Sequence, residues 1–174
     1  MNVLVYAFND TGSAHPQYRD WLRTALTSNE PVAISELVLS SVVRVTTNPR
    51  VFSPPASLAA VLGFAETLRS EPNVVTVSPG ERHWNIFERL CVEAGVRGNL
   101  MTDAYLAALA IESGCELITT DRDFARFPGL RWRHPLACPR LPEVSRARFS
   151  VIPLWAARPG YTGGRSYTDA ARLY

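Results

Sequence analysis

The stretch Asn99-Leu-Met-Thr-Asp-Ala-Tyr-Leu-Ala-Ala-Leu-Ala-Ile-Glu112, with Glu116-Leu-Ile-Thr-Thr-Asp-Arg-Asp-Phe-Ala-Arg-Phe127 close behind it, decides how this chain folds. Leu106, Leu109 and Ala110 recur at helical spacing, and Thr102 is a good N-cap, so the first half predicts an amphipathic helix with Asp103 in its opening turn. Leu117-Ile118-Thr119 is a short apolar run of the kind that forms a buried strand. Asp121 and Asp123 then sit on the loop leaving that strand's carboxyl end. In a parallel α/β sheet the helix start and the strand exit meet in the crevice outside the carboxyl ends of the strands. Three carboxylates gathered there make an oxygen-only donor set, which suits Mg²⁺ or Mn²⁺. Taken singly, each aspartate has a plainer explanation, because the helix macrodipole favours Asp in a first turn and Asp is a common turn residue. Their joint placement is what points to a metal site.

The rest of the chain alternates in the same way. Asn2-Val-Leu-Val-Tyr-Ala7 reads as a first strand, and Tyr18, Leu22, Ala25 and Leu26 mark a helix face. A short strand at 32–34 leads into a helix over 35–46 carrying Leu37, Val38, Ser41, Val42 and Val45. Thr47-Asn-Pro-Arg-Val-Phe-Ser-Pro-Pro55 is a loop, after which Ser57 caps a helix reaching Ser70. Val74–Val77 is the next strand. Glu81–Ala94 is helical with Trp84, Phe87, Leu90 and Cys91 inward, and Gly95 and Gly98 close it. Such βα alternation with short connections predicts a doubly wound parallel sheet.

Four of these segments together resemble the PIN domains, and in particular the VapC toxins of bacterial type II toxin–antitoxin pairs. They are Asn2-Val3-Leu4, Ser35-Glu36-Leu37, Thr102–Ala110 and Thr120–Phe127, in the family's order, with Arg131-Trp-Arg-His-Pro-Leu136 resembling the last strand. The resemblance covers residues 1–136 and implies a three-layer α/β/α fold around a central parallel sheet. It further implies a toxin that is a Mg²⁺-dependent ribonuclease, Mn²⁺ being an alternative ion, leaving 5′-phosphate and 3′-hydroxyl ends. Asp103, Asp121 and Glu36 would be the metal ligands and Asp123 an additional acid of the catalytic group. Thr120 or Thr102 would orient a ligand carboxylate, and Arg50, in the loop after the Glu36 helix, would reach substrate phosphate unless it is an ordinary solvated loop charge. A cognate VapB-type antitoxin, an RNA substrate and a homodimer are the implied partners. The family pattern also places an aspartate two residues before Asn2, upstream of Met1. The expectation is that the reading frame continues upstream; the alternative is a catalytically degenerate module that binds antitoxin or RNA without cleaving.

Composition bounds the remaining possibilities. With 174 residues, 47% of them hydrophobic, the chain can bury one sizeable core. It carries no run of about 18 apolar residues and no basic-then-apolar leader, so neither a membrane span nor a secretory signal is expected, and a cytoplasmic location follows. The three cysteines, at 91, 115 and 138, lack metal-ligand or disulfide spacing. All 18 cationic side chains are arginine. Residues 1–135 hold 12 Arg against 14 acids, a net of −2, and residues 136–174 hold 6 against 2, a net of +4. A nuclease on this core must rely on local arginines and a bound cation, since bulk charge offers phosphate no attraction. Residues 137–174 are rich in Pro, Gly and Arg without sustained period and are expected to form a disordered extension. His15, His83 and His134 share no ligand spacing.

Overall fold

The computed structural model describes residues 1–10 and 12–137, together with the backbone of Arg172–Leu173. The elements in chain order are α1 (Asn2–Phe8), α2 (His15–Leu26), β1 (Val32–Ile34), α3 (Glu36–Thr46), α4 (Leu58–Ser70), β2 (Val74–Thr76), α5 (His83–Glu93), α6 (Leu100–Glu112), β3 (Glu116–Ile118), a 3₁₀ turn (Arg122–Arg126), β4 (Trp132–Arg133) and β5 (Arg172–Leu173). The strands form one sheet in the order β2-β1-β5-β3-β4. Every pairing is parallel, with Val32 opposite Val74 and Leu117 opposite Trp132. Parallel strands need long crossovers, and α3–α4 and α5–α6 supply them. The result is the expected three-layer α/β/α architecture.

Local chemistry accounts for most element boundaries. Val32, Ala33 and Ile34 are all buried, the continuous apolar run of a strand covered on both faces. Ser35 and Ser57 cap α3 and α4, each hydroxyl accepting from the backbone N–H three residues on, at 3.2 Å in both cases. Gly95 and Gly98, at φ +59 and +57, break the chain between α5 and α6 in a conformation that glycine adopts without strain. α6 therefore starts earlier than expected, with Asn99 as its N-cap; Thr102 is already within the helix. Ala104 and the run from Leu106 to Ala110 are all buried, which makes α6 the central helix.

Two expectations need correction. Asn2–Ala7 is a helix, not a first strand. A run of five apolar residues fits a buried strand or a buried helix equally well, and periodicity cannot separate them. Val3, Leu4, Val5 and Ala7 are buried in the helical form, packed against α2 and α3. Within the extension, Arg172–Leu173 form the middle strand of the sheet, between β1 and β3. Two residues are too few to carry a pattern, and strand pairing uses only backbone groups. The expectation of disorder otherwise falls on residues 138–171 and Tyr174, which lie outside the described residues. The second correction is that the inward faces of two helices are rotated slightly: Trp84 is 64% exposed and Leu37 38% exposed, while Leu39 and His83 are buried.

Candidate active site

The carboxyl edge of the sheet is where the acidic residues come together. In a right-handed crossover the helix runs antiparallel to the strands, so the start of α6 lies level with the exit of β3. Asp103, in the first turn of α6, thereby faces the loop that carries Asp121 and Asp123. Burial pushes the Asp103 carboxyl above the usual carboxylate range, and the negative charges of Asp121 and then Asp123 push it further. The Arg126 guanidinium and the Met1 amine act in the opposite sense. That amine is itself lowered to about 5 by burial, with Asp103 resisting the shift. Five titratable groups thus share one corner.

The loop holding two of the aspartates is built from a chain of short contacts. Thr119, buried at the end of β3, accepts a hydrogen bond from the Asp121 backbone N–H at 3.1 Å. Asp121 caps the 3₁₀ turn, its Oδ1 accepting from the Asp123 N–H at 2.9 Å. Phe124 and Phe127, both buried, pin the turn to the core. Arg126 closes it: Nη2 donates to Asp123 Oδ1 at 2.9 Å and Nε donates to the Asp123 carbonyl at 3.0 Å.

The other residues singled out in the sequence lie elsewhere. Glu36 begins α3 directly after β1, so it stands on the same carboxyl edge, but β5 separates β1 from β3. Its exposed carboxylate pairs with Arg69 of α4 at 3.6 Å. Arg50 follows the far end of α3, an 11-residue helix and hence about 16 Å long, and is exposed with its backbone N–H donating to Asn48 Oδ1. Thr120 is half-buried, and the hydroxyl that joins the acidic turn belongs to its neighbour Thr119. Thr102 is exposed in the first turn of α6. The sequence reading missed Thr119 and Arg126. Both left a signal: Thr-x-Asp is the spacing of a local hydroxyl-to-backbone bond, and Asp-x-x-Arg on a turn places opposite charges side by side.

The acidic side chains of this corner offer carboxylate oxygens, and Asp103 is raised first by burial and then by its like-charged neighbours Asp121 and Asp123. That chemistry fits a hard divalent cation, which is commonly held by one or two carboxylates with water and substrate oxygens completing the shell. Among the described residues, no group of three or more His, Cys, Asp or Glu side chains is placed to enclose an ion by itself.

A parallel sheet with carboxylates at the carboxyl edge is compatible with many α/β folds; the PIN domain family model matches residues 1–130. The chain belongs to this family. Within it, the chain is 40% identical over 136 residues to VapC ribonuclease Mb2897 of Mycobacterium bovis, covering 78% of this chain and 92% of that protein. It is 37% identical over 135 residues to ribonuclease VapC25 of Mycobacterium tuberculosis, covering 78% and 95%. The crystal structure of VapBC2 from Rickettsia felis, bound to a DNA fragment from its promoter, superposes with a TM-score of 0.56 at 22% identity over 76% of this chain and 93% of that one. That structure supports the fold. Among the described residues, no helix is long and apolar enough to cross a membrane.

Proposed function

We propose that this protein is a metal-dependent ribonuclease, the toxin of a type II toxin–antitoxin pair. The observation that carries the reading is the convergence of Asp121 and Asp123 on Asp103 at the carboxyl edge of a PIN fold whose relatives are VapC ribonucleases. Asp103 and Asp121 are the proposed ligands of Mg²⁺, with Mn²⁺ able to substitute. Glu36 joins them once released from its exposed contact with Arg69, and Asp123 is the additional acid. When bound, such an ion lowers the pKa of a coordinated water and offsets charge developing on the scissile phosphodiester. The chain's own residues supply the frame for that chemistry. The macrodipole of α6 favours a carboxylate at Asp103. Thr119 and the Asp121 cap hold the second carboxylate at a fixed height above β3. A VapB-type antitoxin is the proposed partner and RNA the substrate, with a homodimer as the working assembly.

The test uses the full chain with single-stranded RNA and added Mg²⁺ or Mn²⁺. Cleavage should stop in EDTA. Asp103→Asn or Asp121→Asn should lower the rate roughly a thousandfold, the scale of several kcal/mol of transition-state stabilisation. Full activity in EDTA or in both variants overturns the assignment. A chain that binds RNA or an antitoxin but cleaves with neither ion is instead a binding module.

A further inference from the structure

The corner that should receive RNA is negatively charged, and residues 1–135 carry a net charge of −2. A phosphodiester approaching Asp103, Asp121 and Asp123 needs local positive charge from the protein as well as from any bound cation. Several arginines near the carboxyl edge or the strands beside it are engaged elsewhere. Arg133 donates from Nε to Glu116 Oε2 at 2.7 Å across β3 and β4. Arg131 donates to the Gly114 carbonyl at the opposite end of β3. Arg69 makes one long contact with Glu36.

Arg126 differs from all of these. Nε and Nη2 both bond to Asp123, one to its carbonyl and one to its carboxylate, so the guanidinium plane is set before any ligand arrives. The side chain is still 37% exposed, and it lies near enough to Asp103 for its charge to act on that carboxyl. Stability gives little reason for this contact, because exposed ion pairs between neighbours on a turn contribute weakly. The turn is already held by the Asp121 cap and by Phe124 and Phe127. A guanidinium oriented on one edge with the other edge open is the geometry that receives a phosphate through paired N–H donors.

We propose that Arg126 is the residue that binds the phosphate of the RNA strand at this site, prepositioned by Asp123; the inference rests on the ribonuclease reading. Asp123, the additional acid of the site, thereby also positions Arg126. The sequence raised Arg50 for such a contact, with an ordinary solvated loop charge as the alternative; Arg50 lies past the far end of α3.

The test compares the full chain with its Arg126→Ala and Arg126→Lys variants. RNA binding is followed by fluorescence anisotropy of a labelled single-stranded oligonucleotide in Ca²⁺ across a salt series, and cleavage is followed in Mn²⁺. Arg126→Ala should weaken RNA binding and raise KM about tenfold. It should also reduce the slope of log affinity against log salt by about 0.7, the release expected for one phosphate contact on a single strand. Arg126→Lys should keep the salt slope but recover only part of the affinity, since it keeps the charge and loses the fork. Mn²⁺ affinity, read by electron paramagnetic resonance without RNA, should be unchanged or raised in Arg126→Ala, because a cation has left an acidic cluster. An unchanged KM and salt slope overturns the proposal. So does a fall in Mn²⁺ affinity that accounts for the lost activity, which would make Arg126 a support for the carboxylates. A parent that binds RNA with the predicted Arg126 dependence but cleaves nothing removes the nuclease reading and leaves the phosphate contact standing. A parent that neither binds nor cleaves removes both.

Discussion

Thr119→Val is the sharpest probe of how β3 delivers Asp121 to the site. Valine has nearly the shape of threonine, so the buried side chain at the end of β3 is replaced without a cavity, and only the hydroxyl is lost. That hydroxyl accepts the Asp121 backbone N–H at 3.1 Å. Removing it loses a bond worth about 1 kcal/mol and leaves a partly buried donor unpaired, which costs about 1–3 kcal/mol. Asp121 is only half-buried and water can reach part of the turn, so the lower end, about 1–2 kcal/mol, is expected. With an unfolding entropy of roughly 2.1 cal/mol/K per residue, a chain of this size should lose about 3–6 °C in Tm. The functional loss should be steeper than the stability loss, because the Asp121 N–H is one link in the sequence Thr119, Asp121, Asp123 that sets the height of two carboxylates. Displacing a reacting group by about 1 Å can cost about a hundredfold in rate. Scanning calorimetry measures the first effect, and RNA cleavage in Mn²⁺ at a temperature where the variant is fully folded measures the second. Thr119→Ser, which keeps the hydroxyl, should retain most of the activity. The reasoning fails if valine leaves both Tm and rate at parental values, or if serine is as damaging as valine.

Two further outcomes follow from the same structure. Asp103 has a folded pKa above its unfolded value, so the native state holds that proton more tightly and stability must fall as pH rises from the ordinary Asp value through the raised one. In metal-free protein, Asp103→Asn should therefore flatten this part of the pH–Tm curve and raise Tm at neutral pH while abolishing cleavage; a variant less stable than the parent at pH 7 would contradict it. Deleting residues 172–174 removes the middle strand between β1 and β3 and should lower Tm and the denaturation midpoint. Unchanged values would show that the sheet does not depend on Arg172–Leu173.

Much of this architecture was legible in the residues alone, and the parts that were not have identifiable causes. The α6 face, the β3 run, the Ser57 cap and the glycine break at Gly95 and Gly98 depend on local periodicity and backbone preference, which each segment carries in itself. The order of acidic residues along the chain also resides wholly in the sequence, and it was enough to recognise the PIN family. Tertiary structure decided the rest. Whether Val3-Leu4-Val5 is helix or strand depends on what occupies the neighbouring position in the sheet, and here Arg172–Leu173 occupy its centre while α2 and α3 cover α1. Which acids meet depends on how the crossover sets α6 against β3: Asp103 joins Asp121 and Asp123, whereas Glu36, also a carboxylate at a strand exit, is held on Arg69. Spacing brought attention to Arg50, but only the packed turn shows Arg126 against Asp123. A charge's partner is set by distances of a few ångströms through space, and residues far apart in the chain become neighbours only once the sheet and its helices have packed.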